Sequence, residues 1–452
     1  MSNMNSIKEF VSIDKGNDYY QKLLEELVRL NERLHAFSNI NFSINNGFPF
    51  STKDNLCVKG VETTASSKIL DGYIPPYNAT VVERLLNNEF SFIGKTNMDE
   101  FGFGSFGINA QEIARNPFDE RYVAGGSSSG AAVATSILKY HVAIAESTGG
   151  SIATPASFCG VVGFTPTYSA ISRYGLIDYS NSMDKIGIMA RTAKDIKPVF
   201  DLIRGPDGYD STTSDSSITS INKKKLIVID QLLDLVDQRI RELFEKMLDK
   251  LNAKGYSIEH RSIDIIDASI ASYYIIAMAE ASTNLARYTG FKYGFKIEDF
   301  DKDYNEFFTE ARAVFGEEAK RRILLGTFVR SANVKDKYYF KALKVRDMLS
   351  SRLEKILEEG FIILPVMPIP APKIEDAKKL TPLQVYKMDA LTIPPNLCGL
   401  PHIAFPYAYD NGLPLGAEVI TSKFNDYAII DFVEEWEEDF EYKFKYNIGE
   451  VK

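Results

Sequence analysis

Residues 124–166 read AGGSSSGAAVATSILKYHVAIAESTGGSIATPASFCGVVGFTP, and the rest of the chain can be organised around this stretch. Two clusters rich in glycine and serine, 125–130 and 148–151, enclose a predicted short helix (131–139) and a predicted buried strand (142–145). Each cluster lies where a tight turn leads into a helical run, so its backbone N–H groups lack intrahelical partners. Such turns form concave sites for an anion, or for the oxyanion of an acyl-transfer intermediate.

A phosphate-binding loop is the first alternative for these turns. That loop would need Gly-Lys-Ser/Thr at its end, and neither cluster has this sequence. Hydroxyl-rich turns without a phosphate-binding lysine favour serine chemistry instead. Serine is a weak nucleophile until a neighbouring base takes its proton, so the chain must supply that base.

Histidine is the usual base, but the four histidines of this chain belong to no motif. We interpret all four as structural residues: His35, His141, His260 and His402. Lys53, in the sequence GFPFSTKDN, follows an apolar, strand-like approach over residues 48–53. A buried lysine loses proton affinity by desolvation and can act as a base near neutral pH. From the residues alone, Lys53 could equally be a charged residue on the surface, because that is the ordinary role of a single lysine.

Lys53 in STKDN, Ser127 in GGSSSG and Ser151 in TGGSI together resemble the Lys–cis-Ser–Ser triad of the amidase signature family. The two serines lie 24 positions apart, as in that family, and the following PASFCGVVGFTP resembles it too. The resemblance implies an α/β fold, in which a central mixed twisted β-sheet is covered by helices on both faces. It extends over residues 48–426, which favours a single amidase domain over residues 1–452.

By this resemblance Ser151 is the nucleophile, and Ser127, on a cis peptide bond, relays its proton to uncharged Lys53. Four consecutive N–H groups are implied to form the oxyanion hole, those of Thr148, Gly149, Gly150 and Ser151. Ser128 is implied to be a substrate-binding residue. The segment KTNMDEFGFGS (95–105) resembles part of the acyl-binding wall.

Two later segments, EAKRRILLGT and YKMDALTIPPNLCGLP, resemble the glutamine-handling parts of the glutamyl-tRNA(Gln) amidotransferase branch of this family. An amino-acid amide carries a carboxylate and an ammonium group, and recognising both requires a fixed base and a fixed acid. The resemblance implies that Arg322 pairs with the substrate carboxylate and Asp389 with its α-ammonium group. It places one of Tyr273 and Tyr274 in the pocket without deciding which. From the residues alone, Arg322 and Asp389 are charges on helix surfaces.

Three features depart from the family pattern. The usual aspartate four residues before the nucleophile is Ser147, and the usual arginine two residues after it is Ala153. Both changes are expected to alter pocket electrostatics or partner contacts. Only 52 residues precede Lys53, a short start that resembles the fungal mitochondrial form, which works with a partner other than the bacterial small subunit.

Bulk composition excludes several classes of function. The chain has 452 residues, 45% of them hydrophobic, and can bury a large core. Its net charge of −9 argues against extensive direct binding to nucleic acid, because phosphate neutralisation needs clustered lysine and arginine. No apolar run reaches the roughly 18 residues of a membrane span. Three scattered cysteines indicate a reducing compartment and no metal site.

Along the chain we distinguish three parts of one domain. Residues 1–46 form an N-terminal extension with a helix, 47–200 the catalytic core, and 201–452 the substrate-pocket helices with the remaining sheet. We interpret the polar run 205–222 as a surface loop within one fold, because an apolar strand, 226–229, follows it directly.

Hydrophobic periodicity predicts an amphipathic helix over residues 19–37 and a longer one over 231–253 that ends at Gly255. The sequence Asp-Asn-Gly between the apolar runs 403–409 and 414–420 predicts a β-hairpin.

The resemblance implies a glutaminase component that supplies ammonia for converting Glu-tRNA(Gln) to Gln-tRNA(Gln) in mitochondrial translation. It implies no cofactor in this chain, since ATP, Mg²⁺ and tRNA would be bound by a B-type partner of the amidotransferase. A third small partner would replace the bacterial C-type component.

Two alternatives stay open. A stand-alone amidase acting on other carboxylic amides would need an apolar acyl channel. A catalytically impaired scaffold is suggested by Ser147 and Ala153. The mitochondrial matrix follows from resemblance only, with the cytoplasm as the alternative location.

Overall fold

A single large sheet is the centre of the structure. The structure, a computed structural model, describes residues 6–13, 15–16, 18–42, 47–214, 216, 223–297 and 301–450. Within these residues one sheet of eleven strands forms. In chain order the strands are β1 (Phe37–Ile40), β2 (Phe48–Lys53), β3 (Phe90–Thr96), β4 (Val142–Ser147), β5 (Val162–Thr165), β6 (Lys185–Ala190), β7 (Lys225–Ile229), β8 (Ser257–Arg261), β9 (Phe361–Pro365), β10 (His402–Asp410) and β11 (Leu413–Ile420).

Helices of varied length cover this sheet. In chain order they are α1 (Ser6–Ser12), α2 (Tyr19–Leu34), α3 (Thr80–Leu86), α4 (Ser129–Ile137), α5 (Ala153–Cys159), α6 (Ile196–Ile203), α7 (Asp230–Leu233), α8 (Gln238–Ala253), α9 (Ser269–Asn284), α10 (Tyr304–Ala313), α11 (Glu317–Arg330), α12 (Tyr339–Leu357), α13 (Ile374–Ala377), α14 (Pro382–Met388), α15 (Ile393–Leu397) and α16 (Asp426–Glu437). Short 3₁₀ helices lie at Lys68–Leu70, Glu100–Gly102, Ala193–Asp195, Ile266–Ala268 and Leu285–Arg287. No helix in the described part of the chain combines the length and apolarity that a membrane crossing needs.

The strand order is β1-β3-β2-β4-β6-β5-β10-β11-β9-β7-β8. Strand β2 runs parallel to β3 and β4, and β7 runs parallel to β8 and β9, whereas the strands between these two groups pair antiparallel. The predicted α/β class with a mixed sheet is confirmed. All three sequence parts contribute strands to the sheet, while their division within one domain stays a prediction.

The middle of the sheet explains where functional groups gather. Every residue of β2 (FPFSTK), β4 (VAIAES) and β6 (KIGIMA) is buried, so helices must cover both faces there. Because β2 and β4 are parallel, with Thr52 opposite Ile144, their carboxyl ends lie at the same edge of the sheet. That edge brings Lys53, the last residue of β2, next to the turn that follows β4.

Two predicted helices end or break earlier than their periodicity indicated. The helix predicted over 19–37 ends at Leu34, because His35 takes a left-handed conformation. The helix predicted over 231–253 is two helices, α7 and α8, because Asp237 caps a new start by accepting a hydrogen bond from the Arg239 N–H. The predicted hairpin is confirmed by the antiparallel pairing of β10 and β11. Much of the predicted loop 205–222, namely 215 and 217–222, lies outside the described residues.

Candidate active site

Lys53 lies fully buried at the end of β2. Its Nζ has three oxygen partners: Ser127 Oγ at 2.7 Å, the backbone carbonyl of Glu146 at 2.9 Å and the carboxylate Oε2 of Glu146 at 2.9 Å. The lysine that the sequence singled out as a base is therefore joined directly to the first predicted serine. Three oxygens around one nitrogen also fix the direction in which that nitrogen can exchange a proton.

Ser127 lies just before helix α4, and the peptide bond between Gly126 and Ser127 is cis. The backbone at this point passes close to a buried carboxylate. A Cβ on Gly126 would lie 2.1 Å from Asp99 Oδ2, so only glycine fits. Burial raises the pKa of Asp99 to about 6, and its hydrogen bonds from backbone N–H groups and the charge of Lys53 oppose that rise.

Ser151 lies in the turn between β4 and α5 and is 6% exposed. Its backbone carbonyl accepts a hydrogen bond from the Ser128 N–H at 3.2 Å, which fixes the turn against the start of α4. In the part of the chain that the structure describes, the Ser151 hydroxyl makes no hydrogen bond. It lines a small pocket together with Gly126, the neighbour of Ser127, and so is available to a substrate.

The backbone of the turn provides donors beside that hydroxyl. Among the described residues, no protein acceptor lies within hydrogen-bond reach of the N–H groups of Thr148, Gly149, Gly150 and Ser151. The turn also excludes side chains at two of these positions. A Cβ on Gly149 would lie 2.8 Å from the Tyr273 hydroxyl, and one on Gly150 would lie 2.5 Å from Thr392 Oγ1. Four free N–H donors next to a serine hydroxyl have the composition of an oxyanion hole.

A chain of buried carboxyl groups extends from the lysine. Glu146 Oε2 also accepts a hydrogen bond from Asn55 Nδ2 at 3.1 Å. The hydroxyl oxygen of Thr148 lies 2.7 Å from Glu146 Oε1 and 2.8 Å from Asp184 Oδ1. Burial, together with the nearby charge of Glu146, raises the pKa of Asp184 well above its usual value. We call Lys53, Ser127, Glu146, Thr148 and Asp184 the lysine cluster.

Sequence reasoning missed Glu146 and Asp184. One signal was present, because Glu146 is an acidic residue near the carboxyl end of an otherwise apolar strand, VAIAES. Charged residues are almost never fully buried unless they are paired. Asp184 gave no such signal, since it lies in a polar segment before β6 and reaches Thr148 only through the fold.

A small pocket lies in front of Ser151. Its lining residues are Gly102, Gly104, Ser105, Gly126, Gly150, Ser151, Tyr273, Tyr274, Arg322 and Asp389. The pocket thus brings together the predicted nucleophile, both predicted clamp residues and both members of the tyrosine pair. One basic side chain, that of Arg322, and one acidic side chain, that of Asp389, therefore line the same pocket as Ser151.

Arg322 is buried on α11 and is held from two sides. Its Nε donates to Glu318 Oε1 at 2.8 Å, and its Nη1 donates to the hydroxyl of Tyr179. Among the described residues no acceptor bonds its Nη2. The guanidinium also lies 4.9 Å from the ring centre of Phe103, within the range of a cation–π contact. A fixed arginine with an unused donor is suited to bind a carboxylate.

Asp389 is buried directly after α14. Its Oδ2 accepts hydrogen bonds from the Tyr274 hydroxyl at 2.6 Å and from Ser105 Oγ at 2.8 Å. Burial raises the pKa of Asp389, while these two hydrogen bonds and the charge of Arg322 oppose the rise. A cation placed in the pocket would favour the ionised carboxylate further.

The sequence left open which of Tyr273 and Tyr274 lines the pocket, and in the structure both do. Tyr274 holds the acid of the clamp, and Tyr273 lies against the oxyanion turn beside Gly149. Ser128, predicted to bind substrate, lies elsewhere. It is fully buried, and its hydroxyl donates to the Glu146 carbonyl at 3.1 Å, so it supports the lysine cluster and does not line the pocket.

Comparison with protein families matches the family described as Amidase over residues 21–430. The chain belongs to the amidase family. It is 38% identical to the A-type component of glutamyl-tRNA(Gln) amidotransferase from Sulfolobus acidocaldarius, over 93% of this chain and 95% of that relative. It is 42% identical to the protein of the same name from Pseudothermotoga lettingae, over 84% of this chain and 83% of the relative.

A crystal structure of the A-type component of glutamyl-tRNA(Gln) amidotransferase from Thermotoga maritima superimposes with a TM-score of 0.84 at 33% sequence identity. The superposition covers 100% of both chains. The predicted family and the predicted amidase fold are therefore confirmed.

The two departures from the amidase pattern around Ser151 have a structural counterpart. Ser147 donates a hydrogen bond to the Gly149 carbonyl at 2.7 Å and so supports the oxyanion turn. Ala153 is fully buried at the start of α5. The acid that the pattern places at position 147 occurs one residue earlier, at Glu146, where it contacts Lys53.

Proposed function

We propose that this chain is the glutamine-hydrolysing, A-type component of a glutamyl-tRNA(Gln) amidotransferase. Two kinds of observation support the proposal. The relatives that carry this name match most of the chain at about two residues in five. The pocket holds a serine hydroxyl, an arginine and an aspartate, which correspond to the three polar groups of glutamine.

The observation that carries the proposal is the placement of Arg322 and Asp389 in the same pocket as Ser151. Glutamine has a carboxylate, an α-ammonium group and a side-chain amide. Arg322 binds the carboxylate through its unused Nη2 donor, and Asp389 accepts hydrogen bonds from the ammonium group. The amide carbon is then directed to the Ser151 hydroxyl, because the substrate is fixed at its other end.

The proposed reaction uses the hydrogen bond between Lys53 Nζ and Ser127 Oγ and the hydroxyl of Ser151, which turns toward Ser127 when the substrate binds. Ser151 Oγ forms a bond to the amide carbon, while its proton passes to Ser127 and the proton of Ser127 passes to Lys53 Nζ. The N–H groups of residues 148–151 stabilise the negative charge that develops on the amide oxygen. Lys53 returns the proton through Ser127 to the leaving nitrogen, and ammonia departs. Water then takes the place of ammonia and attacks the glutamyl ester, passing one proton through Ser127 to Lys53 as its oxygen bonds to the carbonyl carbon. The bond between that carbon and Ser151 Oγ breaks, Lys53 returns the proton to Oγ through Ser127, and glutamate is released.

Partner proteins complete the reaction in this proposal. A B-type partner binds ATP, Mg²⁺ and tRNA and uses the ammonia, and a third small partner takes the place of the bacterial C-type component. The net charge of −9 supports this division, since tRNA binding requires clustered basic side chains. This chain then needs no cofactor of its own. The proposed site of action is the mitochondrial matrix, which a fluorescent fusion located in the cytoplasm would contradict.

The two alternatives from the sequence have weaker support. A stand-alone amidase acting on fatty-acyl or aryl amides would need an apolar channel, whereas this pocket presents Arg322 and Asp389 to its ligand. A catalytically impaired scaffold would have no use for a Lys53–Ser127 hydrogen bond of 2.7 Å or for free N–H donors beside Ser151.

The proposal is tested by replacing the nucleophile in the assembled complex. With Ser151→Ala, glutamine-dependent amidation of Glu-tRNA(Gln) is expected to fall by at least about 10³-fold, because no glutamyl-enzyme forms. The same complex supplied with free ammonia should amidate Glu-tRNA(Gln) at the wild-type rate. Loss of the ammonia reaction as well, or an unchanged glutamine reaction, would contradict the proposal.

A further inference from the structure

Glu146 has no role in the predicted triad, yet it makes more contacts with Lys53 than either serine does. Two of the three oxygens around Lys53 Nζ belong to it, one from its backbone and one from its side chain. Both residues are buried, with side-chain exposures of 0% and 1%. A buried carboxylate at this position needs an explanation, because burying it without use is costly.

We propose that Glu146 is the positioning residue of the catalytic lysine, holding Lys53 in the direction of Ser127 and balancing the charge that Lys53 gains during acylation. This inference rests on the proposed function, since it assigns a part in the same reaction. It concerns a residue one position before Ser147, at which the amidase pattern places its aspartate.

The hydrogen count around Lys53 supports this role. An uncharged Nζ has two hydrogens and one lone pair. The two oxygens of Glu146 accept both hydrogens, so the lone pair points to the remaining neighbour, Ser127 Oγ, at 2.7 Å. When Ser127 transfers its proton, Nζ carries three hydrogens, and each still has an oxygen partner. The lysine therefore gains a proton without moving.

Charge balance supports the same role. The transferred proton leaves a positive charge on a nitrogen with no solvent exposure, and an unpaired buried charge costs several kcal/mol. The carboxylate of Glu146, 2.9 Å away, compensates that charge inside the site. The oxyanion at the substrate is stabilised separately by the N–H groups of the turn, so each new charge has its own partner.

The remainder of the lysine cluster holds Glu146 from its other side. The hydroxyl of Thr148 lies 2.7 Å from Glu146 Oε1 and 2.8 Å from Asp184 Oδ1. Asp184 is itself fixed by the backbone N–H groups of Tyr179 and Ser180, which donate to its carboxylate. The side chain of Glu146 therefore cannot turn away from Lys53 without breaking these contacts.

Other ionisable groups face this cluster and must be considered in any pH profile. Asp99, with a pKa raised by burial to about 6, interacts with Lys53 and with Arg322 on α11. Tyr179 and Glu146 both lie close to Gly102, and burial raises the pKa of Tyr179 to about 12. Asp184 lies on the far side of Thr148. These groups are the same in all variants at position 146, so differences among those variants report on Glu146.

The test measures how fast a fluorophosphonate probe labels Ser151 in the full-length chain between about pH 5 and pH 10. Glu146→Gln is expected to slow labelling by about 10²-fold. The acidic side of the pH–rate profile of this variant should move to lower pH, because Lys53 loses a neighbouring negative charge that favours its protonated form. Glu146→Asp keeps the negative charge. The acidic side of its pH–rate profile should therefore lie at the wild-type pH, and its labelling rate should fall between those of wild type and Glu146→Gln.

A matched control and a second assay exclude a loss of folding as the cause. Glu418→Gln removes another fully buried carboxylate of the same sheet and should leave the labelling rate within about threefold of wild type. In glutamine hydrolysis, Glu146→Gln should lower kcat while KM stays within about threefold, since Glu146 does not touch the substrate.

Several results would overturn the inference. The first is a wild-type labelling rate with Glu146→Gln. The second is slow labelling in which the acidic side of the pH–rate profile stays at the wild-type pH in both Glu146→Gln and Glu146→Asp. The third is an equal fall in labelling rate caused by Glu418→Gln. A wild-type chain that is labelled at Ser151 but never hydrolyses glutamine would refute the proposed function instead, and the labelling series would still decide the role of Glu146.

Discussion

Two groups of buried charged residues lie on the same sheet and differ in what they can do. The lysine cluster lies at the carboxyl ends of β2 and β4. The second group, which we call the sheet cluster, consists of Lys185 on β6, His402 on β10 and Glu418 on β11. Both lysines have no or almost no exposure, at 0% for Lys53 and 2% for Lys185. Burial is thus common to both groups and cannot by itself explain catalysis.

The two groups differ in their partners and in their access to a ligand. Lys185 Nζ donates to the carbonyl of Leu400 at 2.7 Å, and burial lowers its pKa to about 7. Glu418 Oε2 lies 3.1 Å from Nδ1 of His402, and burial raises the pKa of Glu418 well above its usual value. Lys53 has three oxygen partners, and one of them, Ser127, directly follows a residue that lines the pocket. Burial alone therefore does not make a lysine a base. Its neighbours must offer hydrogen-bond partners to both the charged and the uncharged amine, and the lysine must lie close to the ligand pocket.

The largest effect is expected from exchanging the same residue type in the two clusters. Lys53→Met should lower kcat for glutamine hydrolysis by about 10³-fold or more, because no base remains for Ser127. Lys185→Met should change kcat by less than about threefold. Ammonia release by the two purified variants measures both effects. An equal fall in kcat in the two variants would show that the effect comes from replacing any buried lysine, and not from the hydrogen-bond partners of Lys53.

A smaller effect is expected from the charges that face the ligand without taking part in proton transfer. Arg322→Gln or Asp389→Asn should lower kcat/KM for glutamine by about 10²-fold, since each removes one charge-assisted hydrogen bond. Hydrolysis of butyramide, which lacks both the carboxylate and the ammonium group, serves as the control. It should proceed in either variant at the wild-type rate. If butyramide hydrolysis fell equally, the two residues would support the pocket and not select the substrate.

The smallest effect concerns stability and belongs to the sheet cluster. The pKa of Lys185 falls from 10.5 to about 7 on folding. Below about pH 10.5 the unfolded chain binds a proton that the folded chain does not, so Lys185 opposes folding increasingly as the pH falls to about 7. Lys185→Met should therefore gain unfolding free energy relative to wild type over this range, on the order of a few kcal/mol. Urea titrations at several pH values measure the difference. A difference that does not vary with pH would contradict the assigned ionisation.

Sequence reasoning identified the parts of the site that lie in continuous motifs. Lys53, Ser127, Ser151 and the oxyanion turn belong to short segments, and the structure brings all of them to one edge of the sheet. Their catalytic roles stay a prediction. Arg322 and Asp389 could be located only through resemblance, because they are far apart in the chain and look like surface charges on their helices.

The contacts that sequence reasoning missed join distant segments. Tyr179 holds Arg322, and Asp184 reaches the turn through Thr148. Both lie in the segment 168–191, which resembles the part of the family that closes the pocket, but the sequence did not single out either residue. The resemblance implied that Ser128 binds the substrate, but its hydroxyl donates to the Glu146 carbonyl and it does not line the pocket. Helix α1 (Ser6–Ser12) was missed as well, since its seven residues are too few to show a clear period.

The order of these groups along the chain has a consequence for how enzymes of this kind diverge. The residues proposed to make and break bonds all occur before position 152, whereas Arg322 and Asp389, the proposed substrate clamp, occur after position 300. Substitutions after position 300 can therefore change which amide is bound, while the residues proposed to carry out the reaction stay the same. A chimera that combines the first half of this chain with the second half of an amidase for uncharged amides would inherit the reaction from one parent and the preference from the other.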